Sequence, residues 1–169
     1  MLLICTASSG HNLKLAVRLS EVADELAIPN NVIDLTKTDL PLYTPARDEA
    51  GRPPTLGRVE EAFSAASAML FVAPEYNGSI PPTLSNTIAW LSTQTDDFRS
   101  LFTLKPVAIA THSGGGGQKV LVAMRLQLGH LGATVLGREL LTTSKKPLNE
   151  QSARAVLEQL KALMPKAIL

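Results

Sequence analysis

The sequence holds a single cysteine, Cys5. One thiol excludes a disulfide framework or a cysteine-based zinc site within the chain, and it fits a reducing, cytoplasmic setting. Cys5 lies inside an apolar run, where a free thiol packs as a small hydrophobe, so core packing is its expected role. Excess charge is also missing. Sixteen Lys and Arg stand against fifteen Asp and Glu, a net charge of +1. That balance removes the general electrostatic basis for binding nucleic acid or an anionic membrane. No apolar run approaches the ~18 residues of a membrane span. The opening segment MLLICTASSG is apolar only to Cys5, too short for a signal peptide. A soluble protein is expected.

The chain has 169 residues, 45% of them hydrophobic and 18% charged. This is enough for one globular domain over 1–169 with a sizeable core, and no linker or repeat divides it. Short apolar runs alternate with segments of helical period. LLICT (2–6), NVIDL (31–35), AMLFVA (68–73), PVAIAT (106–111) and ATVLG (133–137) read as five strands. Leu15, Leu19, Val22 and Leu26 predict a helix over 12–27. Others are predicted over 58–66, through Ile80, Leu84, Ile88 and Leu91, through Val120, Leu121, Met124, Leu128 and Leu131, and through Val156, Leu157, Leu160 and Met164. The proline-rich stretch 36–56 reads as a long loop.

Five strands alternating with five helices predict an α/β fold: a doubly wound five-stranded parallel sheet of order 2-1-3-4-5, with helices on both faces. Ligands of such sheets bind beyond the carboxyl ends of the strands, near the switch between strands one and three. Three loops fall there. TASSGHN (6–12) offers hydroxyls and a helix start, which suit either an anion or an ordinary helix cap. PEYNGSIPP (74–82) joins an Asn-Gly turn to two prolines that mark a helix start. A polar edge and Tyr76 would suit a flat heteroaromatic ligand, whereas a plain strand-to-helix turn leaves Glu75, Tyr76 and Asn77 unexplained. THSGGGGQK (111–119) carries four glycines, suited to close backbone approach or to a flexible link.

Several chemistries are absent. The chain has no GK[ST] P-loop and no G-x-G-x-x-G, which disfavours nucleoside triphosphate and dinucleotide sites of those kinds. It has no G-x-S-x-G elbow and no acid in the first loop, which disfavours a hydrolase triad and a phosphorylatable receiver. His11 and His112 share the rim without further metal ligands, so no metal is expected.

At these residues the chain resembles the NADPH-dependent FMN reductase family, which includes chromate-, quinone- and azo-reducing members. PEYNGSIPPTLSNTIAWL is close to the family's P-E-Y-N-x-S-x-P-G-x-L-K-N-x-I-D-W. HSGGGGQKVLVAMRLQLGHLGATV is similar to its glycine-rich segment running into an L-R-x-x-L-x-x-L-G-A helix. The likeness covers nearly the whole chain in order and spacing. It implies a flavodoxin-like fold that binds FMN. Pro74, Glu75, Tyr76, Asn77 and Gly78 would border the isoalloxazine ring, Ser113, Gly114, Gly115 and Gly116 would form its other wall, and Ser8, Ser9, Gly10, His11 and Asn12 would hold the phosphate and ribityl chain. It also implies NADPH or NADH as co-substrate and a small-molecule electron acceptor: a quinone, azo compound, metal oxyanion or free flavin. A homodimer or homotetramer is implied as well.

The chemistry would belong to the flavin, so no catalytic side chain is named. Aligned on NLKL, the first loop is shorter than the family's G-S-x-R-x-x-S and has no arginine, so the phosphate would rest on hydroxyls and backbone N–H groups. Pro82, Ser85 and Ala89 stand where the family usually has Gly, Lys and Asp, all on the helix and not the turn. The alternatives are a non-enzymatic electron carrier of the flavodoxin type, usually far more acidic than this chain, and a flavin-binding regulatory protein.

Overall fold

A computed structural model of the chain describes residues 1–93 and 97–165. Strands β1 (Leu2–Thr6), β2 (Asn30–Asp34), β3 (Ala68–Val72), β4 (Pro106–His112) and β5 (Thr134–Val135) lie in the order β2-β1-β3-β4-β5, and β6 (Leu140–Thr142) also pairs with β4. Every one of these pairings is parallel. The predicted order therefore holds, with one strand more than expected.

The continuous apolar strands have a direct cause: both sheet faces are covered. Leu3 and Cys5 of β1 join Met69, Phe71, Val107 and Ile109 on one face, under Phe63 of α3 (Leu56–Ala65), Ile88 of α4 (Pro82–Leu91) and Met124 of α5 (Gln118–His130). Leu2 and Ile4 point the other way with Leu70, Val72, Ala108 and Ala110, under Leu19 of α1 (His11–Glu25) and Leu157 of α6 (Glu150–Leu163). Alternate residues of each strand thus serve opposite cores. Cys5 is buried as expected, and burial drives its thiol pKa far up, so it packs as an inert hydrophobe. Trp90 is fully buried and donates its indole N–H to the Pro41 carbonyl at 2.7 Å.

Three expectations are corrected. The predicted fifth strand over 133–137 is only Thr134–Val135. The edge then leaves β4 and rejoins it at Leu140, with Thr142 opposite His112. The excursion is held by Arg125 of α5, which donates to the Leu136 carbonyl at 2.8 Å and pairs with Glu139 at 3.1 Å. Strands of two and three residues carry too few positions to show a period, which is why β6 escaped prediction. The predicted loop 36–56 also contains structure. Asp34 starts a 3-10 turn, Leu35–Lys37, by accepting from the Thr36 N–H, and Thr44 caps the short α2 (Pro45–Glu49). Finally, α1 ends at Glu25, not Ala27, because Ala27 adopts a left-handed φ of 51°.

Candidate functional site

The loop after β1 leaves the carboxyl edge of the sheet and enters α1 with no side-chain cap and no acid in the first turn. Thr6, buried at the strand end, donates its hydroxyl to the Ser8 carbonyl at 3.0 Å and curls the loop. Backbone N–H groups from Ser8 to Leu13 meet no acceptor among the described residues. They are the free donors of a helix start and carry its partial positive charge. Asn12 has a different task from its neighbours. It is 3% exposed, its Oδ1 accepts from the His112 N–H at 2.7 Å, and its Nδ2 donates to the His112 carbonyl at 2.9 Å. One side chain thus clamps the start of α1 to the end of β4, and both polar ends of its amide are spent on that clamp.

The loop after β3 is a tight turn. Tyr76 and Ser79 exchange backbone hydrogen bonds of 3.0 and 2.9 Å around Asn77 and Gly78, whose φ values are 50° and 77°. Two consecutive positive φ values are the signature of a type I′ turn, the conformation Asn-Gly adopts most readily. Pro81 then flanks α4, and Pro82 occupies its first turn. Glu75 reaches across to α5 and accepts from the Lys119 N–H at 3.2 Å. Its carboxylate serves the otherwise uncapped N-terminus of α5, which supplies the reason for an acid here that the strand-to-helix turn alone did not. Tyr76 stays 52% exposed, holding its ring at the rim.

The loop after β4 begins with His112 and Ser113. The Ser113 N–H donates to the Thr142 carbonyl at 3.1 Å, and its hydroxyl oxygen accepts from the Gly115 N–H at 3.4 Å. A Cβ on Gly114, Gly115 or Gly116 would meet nothing within 4 Å, so this backbone is open to approach. Gly117 is different: its φ is 75°, and a Cβ would lie 3.0 Å from Thr111 Cγ2. Here glycine is required by the turn into α5.

Strand β6 brings a fourth loop to the same edge. Thr142, nearly buried, donates its hydroxyl to the Thr111 carbonyl at 3.0 Å and lies 3.1 Å from His112 Nδ1. The His112 ring stacks on His11, with centroids 4.6 Å apart and planes 20° from parallel. Burial first, and then the neighbouring His11, holds the His112 pKa below its usual value.

A cavity of about 450 Å3 opens among these loops, lined by Ser8, Ser9, Gly10, His11, Asn12, Pro74, Tyr76, His112, Gly114 and Ser144. Of the residues expected at the site, Ser8, Ser9, Gly10, His11, Asn12, Pro74, Tyr76 and Gly114 are brought together on this lining. Glu75, Asn77, Gly78, Ser113, Gly115 and Gly116 belong to the same loops but are not on the lining. His112, expected on the rim but not as a cofactor-binding residue, joins the lining, and so does Ser144, which was not expected there. A signal for the fourth loop was present: β1, β4 and β6 each end in Thr-x-Ser, as Thr6-Ala7-Ser8, Thr111-His112-Ser113 and Thr142-Thr143-Ser144. Each first Thr is buried at a strand end and each Ser opens a rim loop. Among the described residues no cluster of three or more metal-binding side chains occurs. Nor is any helix long and apolar enough to cross a membrane.

The quinone reductase of Escherichia coli K12 is 37% identical over 103 residues, covering 59% of this chain and 53% of that protein. An NAD(P)H-dependent FMN reductase of Pseudomonas aeruginosa is 37% identical over 91 residues, covering 53% of this chain and 48% of its own length. The chain thus spans about half the length of the curated relatives it matches. In fold it is similar to the flavoenzyme FerB, an NAD(P)H:(acceptor) oxidoreductase from Paracoccus denitrificans, with a TM-score of 0.73 at 21% identity over 96% of this chain and 93% of that one. It is also similar to an archaeal flavodoxin, with a TM-score of 0.64 at 13% identity over 95% and 98% of the two chains. Those likenesses, to an enzyme and to a flavodoxin alike, establish a flavodoxin-like fold. Residues 1–147 match the model of the NADPH-dependent FMN reductases, and the chain belongs to that family.

Proposed function

We propose that this chain is an FMN-dependent NAD(P)H oxidoreductase that delivers electrons to a small-molecule acceptor of the quinone class. The observation that carries this reading is a cavity at the carboxyl edge of the sheet that the loops after β1, β3, β4 and β6 build jointly. Its lining suits a flavin nucleotide on three counts. One wall presents serine hydroxyls and unpartnered N–H groups of a helix start, which favour an anion. Another part of the lining presents an exposed tyrosine ring beside a tight polar turn. No Asp or Glu lies on the lining to repel a phosphate. The volume also falls within the usual range of small-molecule sites, roughly 300–1,000 Å3.

FMN bound there would supply the hydride-accepting and electron-donating chemistry of the reaction. The chain's own part is binding and orientation. Ser8, Ser9 and the N–H groups into α1 hold the phosphate end. Pro74 to Gly78 border the ring, and Ser113 to Gly116 form a second, backbone-lined wall with space for a flat partner. Asn12 keeps the first and third of these loops at a fixed separation. The names of the Escherichia coli and Pseudomonas aeruginosa relatives support the choice of acceptor and of NAD(P)H. A cytoplasmic setting and a homodimer or homotetramer complete the proposal, the latter tested by sedimentation. The decisive experiment is reconstitution with FMN, followed by anaerobic titration with NADH and NADPH and turnover with a benzoquinone. Flavin bleaching and quinone-dependent NAD(P)H oxidation are expected. Protein that takes up no FMN refutes the reading, and FMN-loaded protein without turnover refutes the enzymatic part.

A further inference from the structure

A phosphate dianion in the rim cavity faces a shortage of fixed positive charge. The lining contains no Lys or Arg, and its titratable groups are His11, His112 and Tyr76. The cations nearby are placed off this lining, Lys119 of α5 among them, its side chain lying against Gly78 of the β3 turn. On α1, Lys14 and Arg18 line a neighbouring hollow of about 340 Å3 that shares His11, His112 and Ser144 with this cavity. The Arg18 guanidinium is already shared among Glu21, Glu25 and Glu150. Beyond β6, Lys146 lines a third hollow with Glu139 and Asn149, and Lys145 is exposed in the turn. From the β3 loop, Glu75 is turned to the α5 backbone. The two histidines are therefore the groups positioned to carry a charge at the cavity itself.

Their hydrogen bonds decide how they can do so. The Thr142 hydroxyl has one proton and donates it to the Thr111 carbonyl. Its oxygen can then only accept from His112 Nδ1, so Nδ1 holds the ring proton. Neutral His112 consequently presents Nε2 as a bare lone pair, and no described residue bonds to it. Such a nitrogen repels a phosphate oxygen until it gains a proton, after which it becomes a charged donor. The His11 ring is stacked on that of His112 with centroids 4.6 Å apart, so the proton that matters here is the one His112 gains at Nε2.

We propose that His112, stacked on His11, is the charge device of this site: it takes up one proton when a flavin phosphate binds, and so makes the chain select FMN over riboflavin in a pH-dependent manner. This rests on the flavin reading above. In the free protein burial and the facing ring disfavour the charged form of His112, so the proton arrives with the ligand. Binding that takes up a proton weakens as pH rises.

The test is flavin fluorescence titration of the full chain with FMN and with riboflavin from pH 6 to 9, alongside calorimetry in buffers of different ionisation enthalpy. Above about pH 7 the FMN Kd is expected to rise by up to about tenfold per pH unit, with about one proton taken up, while the riboflavin Kd stays flat. The double variant His11→Gln with His112→Gln keeps donors near the ring positions but cannot titrate. It is expected to bind FMN with a flattened pH slope, its riboflavin affinity reporting an intact fold. Equal slopes for FMN and riboflavin, no proton uptake, or an unchanged slope in the double variant would each overturn the proposal while leaving the flavin reading standing. Failure to bind either flavin at any pH would overturn both.

Discussion

Replacing Asn12 by Ala removes two hydrogen bonds, of 2.7 and 2.9 Å, that hold the first turn of α1 against the backbone of His112. The truncated site is 3% exposed, so water cannot simply take the place of the amide. Leaving a buried polar group without a partner costs about 1–3 kcal/mol. Two backbone groups are affected, and His112 itself is only half-buried, so the lower part of that range applies to each. The expected loss is about 2–4 kcal/mol. For a chain of this size, 1 kcal/mol corresponds to roughly 2–4 °C, which puts the fall in Tm at roughly 5–15 °C. Urea unfolding should show a lower midpoint with an unchanged m value.

Asn12→Asp sharpens the test, because it keeps the acceptor for the His112 N–H and turns the donor into a second acceptor facing a carbonyl. Burial and that carbonyl should raise the Asp pKa in the folded state. The deficit is then present above the folded pKa and shrinks as pH falls through it, when the protonated carboxyl can donate again. An Asn12→Ala loss below about 0.5 kcal/mol, or an Asp variant whose deficit does not shrink in acid, would refute the clamp.

Gly117→Ala should cost about 1–2 kcal/mol for the positive φ alone, and more because the new Cβ would sit 3.0 Å from Thr111 and 3.2 Å from Ser113. Gly116→Ala, with open space around it, should stay within about 0.5 kcal/mol in the same chemical melt. Leu70→Ala, on the central strand and fully buried, should lose about 2–5 kcal/mol by urea titration. The depressed pKa of His112 also has a sign in stability. Its contribution is intact above the ordinary histidine value and is lost as pH falls below it, because the unfolded chain then binds the proton more readily. A stability–pH profile should show that acid-side slope, and it should diminish in His112→Gln.

Much of the frame could be read from residue order. The helical period of Leu15, Leu19 and Val22 and the continuous apolar runs at β1, β3 and β4 follow from local rules, because strands buried on both faces have no polar side to show. The Asn77-Gly78 turn is equally local: few residue pairs adopt two successive positive φ values at low cost. The location of the rim follows from topology, since a parallel sheet gathers its carboxyl-end loops on one edge.

What chain order could not determine is who meets whom across that edge. Asn12 and His112 lie 100 residues apart, and neither carries a local mark of the clamp. Read alone, Asn12 was a residue for the ligand, and only packing shows its amide spent on backbone. The Thr142 hydroxyl that dictates the His112 tautomer is carried by β6, a strand of three residues. So short a strand exists because β4 offers it an edge, not because of its own propensity. Sequence alone determined the sheet, its order and the rim, since periodicity and turn chemistry are properties of neighbours in the chain. The tertiary structure alone decided which rim groups are spent on the protein and which stay free for a ligand, since hydrogen-bond partners and desolvation are properties of neighbours in space.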